Sequence, residues 1–293
     1  MKKYIVITGG AGFIGTNLIK LLLRKTKVNL ISIDDYSSGF KKNHIKDKRV
    51  KYIVGHTSDI KNLLSKYKKQ ISVIFHFGEF SRIARSFKDE RKCFKSNIIG
   101  TYEVINFCSE NSIRIIYSAT SASLGNNEKD KNLSPYAFSK STNMNLITNF
   151  DRWFKLKYEI VYFYNVYGPY QITENNMSAV VGIFEHHYLK KLPLPVVLPG
   201  NQTRRFTHVA DTVAACYDIW IKKKNSHYAV VSKSSISIIK LAKLFSNKIK
   251  FVPSRPGERF KSKVLKSISG KKIHNIITKD RLREFVYELK KRS

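Results

Sequence analysis

The stretch Thr8-Gly9-Gly10-Ala11-Gly12-Phe13-Ile14-Gly15 lies between an apolar run, Tyr4 to Thr8, and a segment of helical character, Phe13 to Lys25. Gly9 permits a tight turn, and Gly12 lets a pyrophosphate approach the backbone N–H groups at a helix start. Gly15 allows that helix to pack closely on the strand. A second apolar run ends in Asp34, where an acid accepts hydrogen bonds from an adenosine ribose and repels a 2′-phosphate, favouring NAD over NADP. The cofactor set expected from this region is Gly9, Gly12, Phe13, Ile14, Gly15, Asp34 and Asp35, continued by Ser38 and Gly39 in the following loop.

Outward from this turn, short β-branched runs alternate with longer helical stretches. Strands are predicted at Tyr4 to Thr8, Val28 to Asp34, Val50 to Val54, Val73 to Phe77, Ile113 to Ser118 and Glu159 to Tyr164. Helices are predicted at Phe13 to Lys25, Asp59 to Lys69, Asp89 to Asn111 and Pro135 to Lys155. Such alternation, with nearly all-apolar strands, predicts an α/β fold of Rossmann type, a doubly wound parallel sheet covered on both faces. Beyond Gly168, prolines at 169, 193, 195, 199, 253 and 256 break the pattern. The expected division is a dinucleotide-binding lobe over 1–168, to which the chain returns around 202–222, and a smaller mixed α/β substrate lobe over 169–293.

In Ser134-Pro135-Tyr136-Ala137-Phe138-Ser139-Lys140, Ser134 can cap a helix and Pro135 suits its first position. Tyr136 and Lys140 then fall four residues apart on one face. A cation one turn away favours the phenolate form of a tyrosine, which suits a general base. Thr120, at the end of the fifth predicted strand, lies at the carboxyl edge of the sheet, where this fold places its ligands.

The 54 Lys and Arg against 21 Asp and Glu give a net charge of +33, which raises a polyanion partner. The cations are spread from Lys2 to Arg292 rather than gathered in one arm, and forty of them are Lys, as an A/T-rich genome would produce. No specific nucleic-acid partner is expected. No apolar run reaches the roughly 20 residues of a membrane span, so no membrane insertion is expected. Three separated cysteines, Cys93, Cys108 and Cys216, suggest neither a disulfide framework nor a metal site and fit a reducing, cytoplasmic setting.

The whole chain resembles the extended short-chain dehydrogenase/reductase family, in its nucleotide-sugar epimerase/dehydratase branch. Beyond the glycine turn, Asp34-Asp35, and Tyr136 with Lys140, the resemblance rests on Phe75-His76-Phe77-Gly78, Asn97-Ile98-Ile99-Gly100-Thr101 and Ser118-Ala119-Thr120. It continues through Tyr164-Asn165-Val166-Tyr167-Gly168-Pro169, Arg204-Arg205-Phe206-Thr207-His208-Val209 and Arg255-Pro256-Gly257-Glu258. The resemblance implies a catalytic set of Thr120, Tyr136 and Lys140, with Lys140 also holding the nicotinamide ribose, and NAD contacts from Phe77, Gly78, Asn97, Tyr136 and Lys140. It implies a nucleotide-diphosphate sugar as substrate, contacted by Asn165 and held at its diphosphate by Arg204 and Arg255. The segment Glu79 to Arg82 should border the sugar, with Glu79, Ser81 and Arg82 as contacts beside Thr120. His76 reads as structural. Dehydratase relatives place an Asp-Glu pair directly after the catalytic Thr, where this chain has Ser121 and Ala122. Inversion at C4 through a transient keto sugar is therefore the expected reaction, in the making of surface glycan precursors. The alternatives are a one-way 4-dehydrogenase, a 4,6-dehydratase and a non-catalytic nucleic-acid-binding relative. The family's habit implies a homodimer.

Overall fold

The computed structural model describes residues 4–124, 131–174, 177–257, 260 and 263–292. Glu258 of the sequence motifs lies outside these described residues. Six parallel strands form the centre: β1 (Tyr4–Thr8), β2 (Asn29–Asp34), β3 (Val50–Val54), β4 (Ile71–His76), β5 (Arg114–Thr120) and β6 (Tyr158–Phe163), in the spatial order β3-β2-β1-β4-β5-β6. Alternate residues feed two cores. Val6, Ile31, Ile74, Ile115 and Ile160 pack on one face, and Ile7, Leu30, Phe75, Ile116 and Val161 on the other. Burial on both faces explains why these strands read as continuous apolar runs.

Helix α1 (Phe13–Lys25) turns Leu18, Ile19 and Leu22 onto the second face, beside Val213, Cys216 and Ile219 of the helix Val209–Lys222. Strand order reverses between β1 and β4, which opens a crevice at the carboxyl ends of these two strands. Gly9 stands at this point with φ +68°, and a Cβ there would lie 2.8 Å from the Phe77 carbonyl carbon. Only glycine meets both demands without strain.

Two helices differ from expectation. Asp59 to Lys69 reduces to one α-helical turn, Ile60–Leu63, with a 3-10 turn at Lys68–Gln70. Ile60 and Leu64 are buried in the core, Leu63 and Tyr67 pack against it only in part, and so short a segment gains little helical stability of its own. The stretch expected as one helix from Asp89 to Asn111 is interrupted by a π-type turn at Lys95–Gly100. Gly100 there packs against Thr57, whose Oγ1 would stand 2.2 Å from an added Cβ.

After β6 the main sheet gains His227–Ser232 and Lys271–Thr278, both parallel, and the short antiparallel Ser267–Ile268. The sheet thus takes strands from both sides of the boundary expected at Gly168. A third core, with Tyr167, Phe184, Leu194, Phe206, Leu241 and Phe245, packs around the separate parallel pair Leu194–Val197 and Ile249–Val252. No helix among the described residues is long and apolar enough to cross a membrane.

Candidate active site

A cavity of about 500 Å³ follows the crevice, from Gly9 and Asp34 past Phe77 and Gly78 to Thr120, Tyr136 and Lys140, and on to Arg204 and Arg255. At its first end, α1 begins at Gly12 with no side-chain cap and no acid in its first turn. Its leading N–H groups are therefore left for an external anion. The Asp34 carboxylate accepts from the backbone N–H of Ala11 and of Tyr36, each at 2.9 Å. Burial pushes the Asp34 carboxyl up, against those two bonds. Gly39 closes over this carboxylate, while Asp35 accepts from the Ser37 backbone and hydroxyl. Phe13, Ile14, Asp35 and Ser38 line the same end. An uncapped helix start, close-packed glycines and a ribose-reading acid on one cavity fit a dinucleotide.

In the middle, Ser134 accepts from the Ala137 N–H at 3.0 Å and starts the helix Pro135–Phe154. The Tyr136 ring is buried among Cys93, Ala122 and Ala137, with Phe80 and Ile83 against them. Thr120 accepts from the Ala122 N–H at 3.2 Å, at the start of the short helix Ser121–Leu124. Neither Ser121 nor Ala122 brings an acid to this spot.

Two expected contacts are corrected. Glu79 was expected to meet the sugar. Instead its carboxylate turns inward, ion-paired to Lys140 and accepting from Thr101 at 3.0 Å and Tyr117 at 3.1 Å. Glu79 still lines the cavity, but with its side chain only 2% exposed and both oxygens engaged, its carboxylate is held away from a sugar. Asn97 was expected at the cofactor. It is fully buried, accepts from the Phe80 N–H at 2.7 Å and donates to the Phe80 carbonyl at 3.1 Å and to Ser139 at 3.0 Å. The π-type turn directs it there, where it clamps the loop after β4 to the helix Pro135–Phe154.

His76 bridges Thr8 at 2.7 Å and Thr101 at 2.9 Å, and burial lowers its pKa to about 3. An unfolded histidine takes a proton near pH 6.5, so the neutral native ring adds stability above that pH, which is lost progressively down toward pH 3. The urea midpoint of wild type relative to that of His76→Gln should fall between pH 7 and pH 5. His227, lowered to about 4, acts in the same direction as His76, and Glu159, raised to about 7 by burial, in the opposite one.

At the far end, Asn165 lines the cavity and donates to the Arg205 carbonyl at 2.9 Å. Arg204 and Arg255 line it as well. Arg205 instead donates to the carbonyls of Ser232 and Lys233, tying this segment to the main sheet. Ser81 and Arg82 border the centre. Arg82 donates to the carbonyls of Met177 and Ser81, close enough to Tyr136 for the two charges to interact. Sequence reasoning missed Gln171, Ser178, Val180, Gln202 and Phe206, which complete the wall. The last two flank Arg204 and carried a signal; the others sit in an irregular loop and the helix after it.

A Rossmann-type crevice holding a Tyr and a Lys one turn apart defines a dinucleotide-dependent enzyme of short-chain dehydrogenase type. The sequence model of the NAD dependent epimerase/dehydratase family matches residues 5–231, and the chain belongs to that family, with NAD as cofactor. It is similar to an uncharacterised UDP-glucose epimerase of Bacillus subtilis (strain 168), at 29% identity over 228 residues, 71% of this chain and 70% of that one. Among solved structures, UDP-N-acetylglucosamine 4-epimerase from Methanobrevibacter ruminantium M1, in complex with UDP-N-acetylmuramic acid, superposes with a TM-score of 0.84 at 25% identity, covering 99% of this chain and 98% of that one. A Tyr-to-Phe mutant of UDP-glucuronic acid 4-epimerase from Bacillus cereus, in complex with UDP-4-deoxy-4-fluoro-glucuronic acid and NAD, gives a TM-score of 0.85 over 99% of this chain and 100% of that one. At 23% identity this last likeness speaks for the fold alone. The chain is thus an enzyme of the nucleotide-sugar epimerase/dehydratase type.

Proposed function

We propose that this protein is a nucleotide-sugar 4-epimerase. The observation that carries the reading is a single cavity in which Thr120, Tyr136 and Lys140 stand between a dinucleotide cradle and two arginines, Arg204 and Arg255. Gly9 to Gly15 and Asp34 would hold NAD, which would supply the acceptor and donor of a hydride for the sugar carbon that bears the reacting hydroxyl. Tyr136 accepts the proton of that hydroxyl and gives it back. Thr120 orients the hydroxyl, and Lys140 supplies the nearby positive charge. Arg204 and Arg255 grip the diphosphate, a planar bidentate task that leaves the sugar free to turn about its link. Ser81 and Arg82 contact the sugar from the loop after β4.

Dehydration needs a further acid and base at the adjacent carbons, and Ser121 and Ala122 provide neither. Glu79, the acid of the loop after β4, is committed to Lys140. The reading includes a cofactor lobe over 1–168, to which the chain returns around 202–222 and which the strands His227–Ser232 and Lys271–Thr278 extend, a substrate lobe drawn mainly from the rest of 169–293, and a cytoplasmic role in glycan-precursor synthesis. Exposed Ile99, Tyr102, Trp153 and Phe154 on the helices around residues 95–110 and 135–154 support a homodimer through that face.

A screen of UDP-, GDP-, dTDP- and ADP-sugars tests it. The expected result is a product of unchanged mass, inverted at C4 by NMR, formed with NAD in catalytic amount. A product two hydrogens lighter, formed at one NAD per turnover, would establish the one-way dehydrogenase instead.

A further inference from the structure

Lys140 and Glu79 form an ion pair from which water is almost excluded, with side chains 4% and 2% exposed. The ammonium has three N–H donors. One goes to Glu79 Oε2 and one to the Ser118 carbonyl, so a single donor remains for the cofactor side. The other carboxylate oxygen, Oε1, accepts from Thr101 Oγ1 at 3.0 Å, Tyr117 OH at 3.1 Å and Asn143 Nδ2 at 3.2 Å.

The N–H groups of Phe77 and Gly78 donate to Thr8 Oγ1, which then donates its own proton to His76 Nδ1. His76 Nε2–H donates to Thr101 Oγ1, whose proton goes to Glu79. The tautomer follows from this network. Burial pushes the Glu79 carboxyl up, and Lys140, Thr101 and Tyr117 oppose this; with every partner placed to donate, the network suits an ionised carboxylate. Such a network, satisfied at each atom, runs from the cofactor turn at Thr8 to the Lys140 ammonium.

An ammonium beside a phenol favours the phenolate, and an anion beside that ammonium offsets the effect. The titratable groups that face Tyr136 and Lys140 are Arg82 and Glu79 from the loop after β4, His76 on β4, Tyr117 on β5 and Cys93 on the helix Glu90–Phe94. Burial keeps Tyr117, Cys93 and His76 neutral near pH 7. Glu79 is the one negative charge among them.

Resting on the assignment of Tyr136 and Lys140 made above, we propose that Glu79 is a positioning residue. It holds the Lys140 ammonium in a fixed place and, by offsetting its charge, sets the pH at which Tyr136 loses its proton.

The test is the titration of the Tyr136 hydroxyl in NAD-loaded protein, read as phenolate ultraviolet absorbance in difference against Tyr136→Phe, beside the pH profile of kcat. Glu79→Gln keeps the size and removes the charge. Both the optical midpoint and the acid limb of kcat are expected to move down by about one pH unit. Glu79→Asp keeps the charge but shortens the reach. Its midpoint is expected within about 0.3 unit of wild type, with kcat lower by about tenfold. A Glu79→Gln midpoint that stays or rises overturns the proposal. So does Glu79→Asp with wild-type turnover, or with a midpoint displaced by a full unit, and this arm stands even if Glu79→Gln does not fold. The optical titration needs no substrate, so failures separate. A Tyr136 signal indifferent to Glu79 overturns this inference alone, whereas the absence of any Tyr136 titration removes the assignment of the base and this inference with it.

Discussion

Tyr136→Phe is expected to lower kcat by about 10²- to 10⁴-fold, the range of a general acid–base group, with the melting temperature almost unchanged. The ring is 8% exposed and packs on Cys93, Ala122 and Ala137, contacts that phenylalanine reproduces. Among the described residues, its hydroxyl makes no hydrogen bond that holds the fold together. The helix carrying it is fixed by the Ser134 cap and by the Tyr136 N–H, which donates to Ser86 Oγ at 3.2 Å, and both survive the substitution. The defect should therefore fall on kcat, with KM for the sugar nucleotide and NAD affinity within about threefold, the signature of an interaction made only in the transition state. Steady-state kinetics beside a thermal melt check this. Turnover near wild type would remove Tyr136 as the base.

The second large effect is expected from Gly15→Ala. Its Cβ would lie 2.2 Å from the Gly9 carbonyl oxygen and 2.7 Å from Gly10 Cα, backbone atoms with no flexible side chain to give way. Helix α1 must retreat from the turn, and overpacking of this kind costs about 1–3 kcal/mol. The retreat also carries the leading N–H groups away from the pyrophosphate. A lower melting temperature and an NAD affinity reduced by at least about 100-fold are expected, measured by calorimetry. Gly12→Ala separates the two effects. Its Cβ meets only the Gly9 oxygen at 3.2 Å, so that variant should fold and lose affinity alone.

Much of this was legible before the structure. The turn Thr8 to Gly15 reveals itself because glycines tolerate few substitutes where backbone meets backbone, and α1 occupies the predicted Phe13 to Lys25. The central strands were visible because burial on both faces leaves unbroken apolar runs. Less visible was whatever depends on contacts distant in sequence. Nothing local in Lys95 to Gly100 announces a π-type turn; its cause is the approach of Gly100 to Thr57 and of Asn97 to Phe80. Glu79 reads as a pocket charge because Ser81 and Arg82 follow it in the same loop. Its partners, Thr101, Tyr117, Lys140 and Asn143, arrive from three other elements and turn it inward. The net charge of +33 shaped expectation least, since the expected anions are met by a few placed groups: the start of α1, Arg204 and Arg255.

The central claim is that one sugar carbon loses and regains the same hydrogen while Tyr136 handles the hydroxyl proton. The direct measurement is the fate of deuterium placed at C4 of whichever sugar nucleotide the enzyme turns over, followed by NMR and mass in ordinary water with catalytic NAD. Full retention of deuterium at C4 of the inverted sugar is predicted. Deuterium lost to solvent, or accumulating on released cofactor beside a keto sugar, would contradict the account.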